Sequence, residues 1–375
     1  MIYNKMISKI LKNLSNLPGW CTNRKIVVIE SDDWGSIRMS SKKAFEELER
    51  AGIILNKGFG ARYNKYDTLA SKQDLEFLFE VLTSVQDQHG NHAKITALSL
   101  VANPDFDKIK ESGFEKYYYE PFTKTLEKYN IENAFPLWSE GYNSNIFVPE
   151  FHGREHLNVQ AWLRALKVGD KEALLAFDHG IWGYNRKSGI GFQAAFDLEY
   201  PKDLEAQKEV VKDGLRLFEE LHCRKARFFV PPNGPLNNQL EKVAADGCIV
   251  YMSSPKIQNE PLGDGRTKKH FRYIGKQNKH GQTYITRNAF FEPSGSSRNE
   301  VNGCLAEIEL AFKWKKPAVI SSHRVNYIGS LASANRDNSL KQLKELLTAI
   351  MKKWPDAEFM TSSELGDIIT KHSNK

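Results

Sequence analysis

The 375-residue chain lacks most of the features that announce a function class. It has four cysteines, Cys21, Cys223, Cys248 and Cys304, widely spaced and with no CxxC pair. That excludes a disulfide-stapled scaffold and a cysteine-rich zinc ribbon, and the spacing predicts reduced core thiols in a cytoplasmic protein. No apolar run approaches the roughly 18 residues of a membrane span, and the N-terminal stretch has no small-residue cleavage site of a secretory signal. There is no GxSxG elbow and no GxxxxGK[ST] loop. Gly58-Phe59-Gly60 has neither the third glycine nor the preceding strand of a dinucleotide fingerprint. Charge of one sign is not concentrated either. The 53 Lys and Arg residues exceed the 46 Asp and Glu residues by seven, dispersed in pairs such as Lys42-Lys43, Lys268-Lys269 and Lys315-Lys316. Dispersed pairs read as solvated helix faces, so no nucleic-acid partner is expected.

What is present is an ordinary globular composition, 41% hydrophobic and 26% charged. Residues 1–24 carry Met6, Ile10, Leu14 and Leu17 at helical spacing with Lys5, Lys9 and Lys12 between them. This predicts an amphipathic helical segment packed on the domain, with weak peripheral membrane contact as the alternative. From residue 25 onward strand-like and helix-like stretches alternate. The predicted strands are Lys25–Glu30, Lys94–Val101, Asn145–Phe151, Ala226–Val230, Cys248–Ser253, Thr283–Phe290, Pro317–Ser322 and Ala357–Met360. Helices are predicted over Lys42–Ala51, Ser71–Val85, Val159–Phe177, Leu204–His222, Asn237–Ala245, Val301–Trp314 and Ser339–Trp354. Uninterrupted apolar runs such as IVVI suit strands covered on both faces, which means parallel strands under helices. Seven or eight of them predict one distorted (β/α) barrel over 25–375, with elaborated loops across 40–145.

Polar motifs stand at the carboxyl ends of these strands, where barrel enzymes gather their catalytic groups. Ser31-Asp32-Asp33-Trp34-Gly35 follows the first, His152-Gly153-Arg154-Glu155-His156 the third, Pro231-Pro232-Asn233-Gly234 the fourth and His323-Arg324 the seventh. His152 and His156, four apart, would share one face if a helix begins there, and an added carboxylate would complete a three-ligand metal site with open positions. Adjacent Asp32 and Asp33 on an extended segment point in opposite directions, so one is free to act as a base while the other binds metal. The competing reading, a helix N-cap, suits them poorly because Gly35 and Ser36 intervene. His323 is a candidate acid.

In that order these motifs resemble the polysaccharide deacetylases of carbohydrate esterase family 4, the NodB-homology domain, across about residues 25 to 330. The resemblance implies a metal-dependent hydrolase that removes an N-acetyl or O-acetyl group from an amino-sugar glycan or a nucleotide-linked or lipid-linked precursor. It implies Asp32 as general base, His323 as general acid, and Asp33, His152 and His156 as ligands of a divalent metal, Zn²⁺ first, with Co²⁺ or Ni²⁺ as alternatives. Four departures stand out: Trp34 precedes Gly35, Gly153 follows the first histidine, Val230 occupies the position of the family's arginine before Pro-Pro, and the family's Asp-Trp motif between the fourth and last strands has no clear match. Arg154, Arg227 or Arg324 is the expected replacement for that arginine. Trp34, Arg154, Asn233, Trp182 and Arg324 are expected to contact the carbohydrate substrate. Two alternatives remain open: a hydrolase of a glycosidic or other C–N bond, pairing Asp32 with Glu150 or Glu155, and a non-catalytic carbohydrate-binding pseudoenzyme. The loop Pro293 to Arg298 is read as solvated.

Overall fold

The computed structural model describes residues 13–58, 60–186, 190–296 and 299–373. In chain order its strands are β1 (Lys25–Trp34), β2 (Ile95–Leu100), β3 (Ala102–Pro104), β4 (Tyr119–Pro121), β5 (Phe147–Gly153), β6 (Phe228–Phe229), β7 (Tyr251–Ser253), β8 (Ile257–Pro261), β9 (Thr267–Phe271), β10 (Thr283–Ile285), β11 (Ala289–Phe290), β12 (Ala318–His323) and β13 (Ala357–Met360). The main sheet runs β10-β7-β6-β5-β2-β1-β12-β11, with β13 added beside the start of β1. Every pairing in it is parallel. The sheet curls into a distorted (β/α) barrel that stays open between its edge strands β10 and β11 among the described residues. Those two edges are consecutive in the chain, joined by residues 286–288 alone.

Alternation along β1 explains why its sequence is apolar on both faces. Val27 and Ile29 pack outward among the helices, with Leu75, Ile308, Leu343 and Leu347. Ile26 and Val28 face Leu98, Phe228, Ile285 and Val319 from the other strands, and Leu365 and Ile369 of the C-terminal helix Ser362–Ser373 join this inner cluster. Each such side chain, removed from water, contributes roughly 1.5–3 kcal/mol. With its amino-terminal end filled this way, the barrel leaves its carboxyl-terminal end for chemistry.

Several elements differ from the sequence-based expectation. β1 continues through Trp34, so the Asp pair lies within the strand and not beyond it. The expected strand Thr283–Phe290 is two short strands, because the polar link 286–288 leaves the sheet. The expected helix Val159–Phe177 is two, Val159–Lys167 and Lys171–Asp178, broken at Gly169 with φ +75°. The antiparallel hairpin β8–β9 was not expected. Of the cysteines only Cys304 is buried, while Cys21, Cys223 and Cys248 are exposed and all four are free. Met6 and Ile10 lie outside the described residues. Leu14 and Leu17 are about half exposed, so the described end of the apolar stripe does not pack into the core. Residues 13–20 are held by the Trp20 side chain, which packs against the inner cluster, and by polar bonds: Trp314 Nε1 donates to Asn13 Oδ1 at 3.1 Å, and Trp20 N–H to Ile274 O at 2.9 Å. No helix of the described residues is long and apolar enough to cross a membrane.

Candidate active site

Strict alternation would send Asp32 and Asp33 to opposite faces of β1. The backbone avoids this at Asp33, which takes φ +76° at a register shift in the β1–β2 pairing between Ser31 and Trp34. A non-glycine residue there costs of order 1–3 kcal/mol and is characteristic of functional sites. Both carboxylates consequently line one cavity. Trp34 is then turned into the core, 1% exposed and edge-on to Phe147, with its Nε1 donating to Ser31 Oγ at 3.0 Å.

The two histidines converge differently from the expected shared helix face. His152 belongs to β5, Gly153 takes φ +122°, and His156 stands in the loop before the helix that starts at Val159. The turn, which only glycine adopts without strain, brings both Nε2 atoms to 3.5 Å from Asp33 Oδ1. His152 Nδ1 donates to the Val230 carbonyl at 2.7 Å, because a carbonyl only accepts, and this leaves the Nε2 lone pair facing Asp33. His156 stacks on Trp182 with ring centroids 6.0 Å apart. Burial drives its pKa down to about 4, so the ring is neutral at pH 7. Asp33 Oδ1, His152 Nε2 and His156 Nδ1 are buried with no hydrogen-bond partner. Buried orphans of this kind are uncommon in a folded protein. The three residues offer ligand atoms within 4.8 Å of one another, a donor set suited to a divalent cation.

Beside this triad, Asp32 and His323 are each paired with an opposite charge. Asp32 is gripped by Arg287, whose Nη1 and Nη2 reach its two oxygens at 2.7 and 2.5 Å while Nε donates to Glu30 Oε2 at 2.6 Å. Burial alone would raise the Asp32 pKa, but the Arg287 guanidinium, with His152 and His323 nearby, more than reverses this and holds it below the ordinary carboxylate value. His323 Nδ1 meets Glu292 Oε1 at 2.5 Å, and Arg62 Nη1 lies 2.9 Å from Glu292 Oε2. Burial would lower the His323 pKa, but Glu292, with Asp32 and Asp33 behind it, pushes it up to about 9. His323 is therefore an imidazolium at pH 7. Its Nε2 lies 3.7 Å from Asp32 Oδ2.

Asp32, Asp33, His152, His156, Asn233 and His323 share a cavity of about 480 Å³ with Arg287. Four residues expected to touch substrate do something else. Trp34 is core. Trp182, 2% exposed, backs His156. Arg154 pairs with Glu155 at 2.6 Å and Asp213 at 3.0 Å, with its guanidinium over the Tyr119 ring. Arg324, fully buried, binds Asp67 and the Ser36 carbonyl. None of the three arginines expected to replace the one before Pro-Pro reaches Asp32, Arg227 being paired with Asp367. Arg287 occupies that role from the link between β10 and β11. The signal for it was a charged TRN interruption inside an otherwise apolar strand candidate. For Glu292 it was a carboxylate just past the carboxyl end of a strand, immediately before the loop Pro293 to Arg298 that was read as solvated.

No family profile matches the chain, and no curated protein sequence matches it. Solved structures similar in chain path include a 4-α-glucanotransferase from Thermococcus litoralis, 12% identical, with TM-score 0.46 over 91% of this chain. This chain spans only 40% of that enzyme's length. A candidate polysaccharide deacetylase from Mycobacterium smegmatis is 10% identical with TM-score 0.44, covering 95% of this chain and 94% of that one. Another from Pseudomonas aeruginosa PAO1 is 9% identical with TM-score 0.47, covering 92% and 91%.

Proposed function

We propose that the chain is a metal-dependent deacetylase acting on an N-acetylated or O-acetylated sugar, as a glycan or a glycan precursor. One observation carries this reading: Asp33 Oδ1 and His152 Nε2, buried and unpartnered, and a ring nitrogen of His156 converge within 4.8 Å, beside a base held ionised and a histidine held protonated. A divalent metal held by the three, Zn²⁺ in the first instance, supplies Lewis-acid polarisation of the acyl oxygen and a water acidified toward a pKa of roughly 7. The chain's own residues do the rest. Val230 fixes the His152 tautomer. Asp32, ionised and aimed by the two-pronged contact from Arg287, takes the proton of the attacking water. His323, whose Nδ1 is committed to Glu292, presents Nε2–H to the departing amine or alcohol.

Arg287 also bears on the non-catalytic alternative, which rested on a lost arginine beside the base. For glycoside cleavage, the carboxylates nominated to pair with Asp32 are committed elsewhere: Glu155 to Arg154, and Glu150 to the N–H groups of Arg227 and Phe228 and to Ser363. The test is acetate release against reducing-end formation from N-acetylhexosamine polymers, oligomers and nucleotide sugars, with bound metal measured on the same samples. Acetate without new reducing ends is expected. Absence of acetate across the panel from metal-loaded protein would overturn the reading.

A further inference from the structure

One cation on the cavity wall is unused by the chemistry above. Lys256, between β7 and β8, lines the same cavity as Asp33 and His323 and is half-buried there. Its Nζ donates to Ser15 Oγ at 3.0 Å and Asn16 Oδ1 at 3.2 Å, both neutral acceptors. An ammonium has three donors, so among the described residues one remains. Burial depresses its pKa, and the like charge of Lys316 depresses it further. Lys316 does not compete for a ligand, because its own donors go to the Gly19 and Trp20 carbonyls at 2.6 and 3.0 Å. The wall carboxylate Glu307 accepts the Phe290 N–H at 2.9 Å. Among the described residues no carboxylate is paired with it, and a half-buried cation without a countercharge is costly unless something anionic arrives. Here the site is built by two distant parts of the chain, residues 15–16 and the β7–β8 link.

We propose that Lys256 is an anion-recognition group of this cavity, and that the substrate carries a phosphate or carboxylate in addition to its acylated sugar. This rests on the deacetylase reading for the identity of the sugar, but the anion contact is separable from turnover. A cavity of about 480 Å³ falls in the size range of small-ligand sites. It accommodates a compact anionic sugar or the charged end of a longer molecule.

The test is calorimetric titration of zinc-loaded protein with N-acetylglucosamine, N-acetylglucosamine 1-phosphate and N-acetylmuramic acid, alongside acetate release from each. Wild type should bind at least one anionic sugar about tenfold more tightly than the neutral one, the scale of one hydrogen bond to a charged group. Which anionic sugar gains separates a phosphate substrate from a carboxylate one. Lys256→Met and Lys256→Gln should both lose the preference. Gln keeps a donor for Ser15 and Asn16, so it serves if Met disturbs folding. No preference in wild type, or a preference that survives Lys256→Gln, overturns the proposal. Anion preference without acetate release would sink the deacetylase reading and leave the Lys256 site standing.

Discussion

The two halves of the cavity are built on opposite principles. On the Asp33–His152–His156 side, polar atoms are buried and left without partners; on the Asp32–Arg287 and Glu292–His323 side, each titrating group is tied to an opposite charge. The two histidine environments state the contrast most sharply. Burial against Trp182 takes His156 down to about 4, while Glu292 takes His323 up to about 9. One residue type thus yields a neutral lone pair in one place and a proton donor a short distance away. The lesson is that a site can be pre-set by what it withholds as much as by what it pairs.

The largest expected effect comes from deleting the unpartnered side. Asp33→Ala or His156→Ala should abolish stoichiometric metal binding and lower acetate release by about a thousandfold or more, since a metal-activated water is lost. Elemental analysis and an acetate assay check both. Folding should survive, because Asp33 Oδ1 and His156 Nδ1 accept no hydrogen bond that the substitution would strand.

Next comes the paired side. Arg287→Met leaves Asp32 and Glu30 buried side by side without their cation, which should cost about 3–5 kcal/mol by thermal or denaturant unfolding. The Asp32 pKa should rise, moving the acid limb of kcat/KM to higher pH. Arg287→Lys should recover little, because an ammonium cannot hold both carboxylate oxygens in a planar fork. An unchanged acid limb in Arg287→Met would show that this arginine does not set the base.

Glu292→Gln is expected to act through pH. In wild type the alkaline limb should fall near pH 9 as His323 loses its proton. Without Glu292, burial pulls the histidine pKa down, so activity at pH 8 should drop by roughly tenfold or more while remaining measurable at lower pH. Stability follows the same sign. A folded-state pKa raised above the ordinary value of about 6.5 stabilises fully below that pH, and the contribution is lost as pH climbs through about 9. Wild type should show that loss and Glu292→Gln should not. The smallest catalytic effect is expected at Arg154, where Arg154→Gln should destabilise through the stranded Glu155 yet change KM by less than about twofold.

How much of this was legible in the sequence depends on distance along the chain. β1 was readable from KIVVIE because a strand covered on both faces has no polar alternation. The HxxxH spacing was readable as a donor pair but not as geometry, since a turn at Gly153 can bring His152 and His156 together without a helix. Asp33 offered no sign of its left-handed backbone, which depends on the register against β2. Trp34 and Trp182 looked like sugar platforms, and only packing reveals that one lies against Phe147 and the other behind His156. Arg287 was the hardest, lying 255 residues from Asp32 and brought to it by the curl of the sheet, whose edge strands its link joins.

The most direct measurement is acetate release from N-acetylated sugars by protein stripped of metal and then titrated with Zn²⁺, in wild type and in Asp32→Asn. The account predicts that activity appears in proportion to zinc up to one equivalent in wild type, and that Asp32→Asn binds the same equivalent yet releases little acetate. Stoichiometric zinc with no acetate from wild type, or acetate release indifferent to stripping, would contradict it.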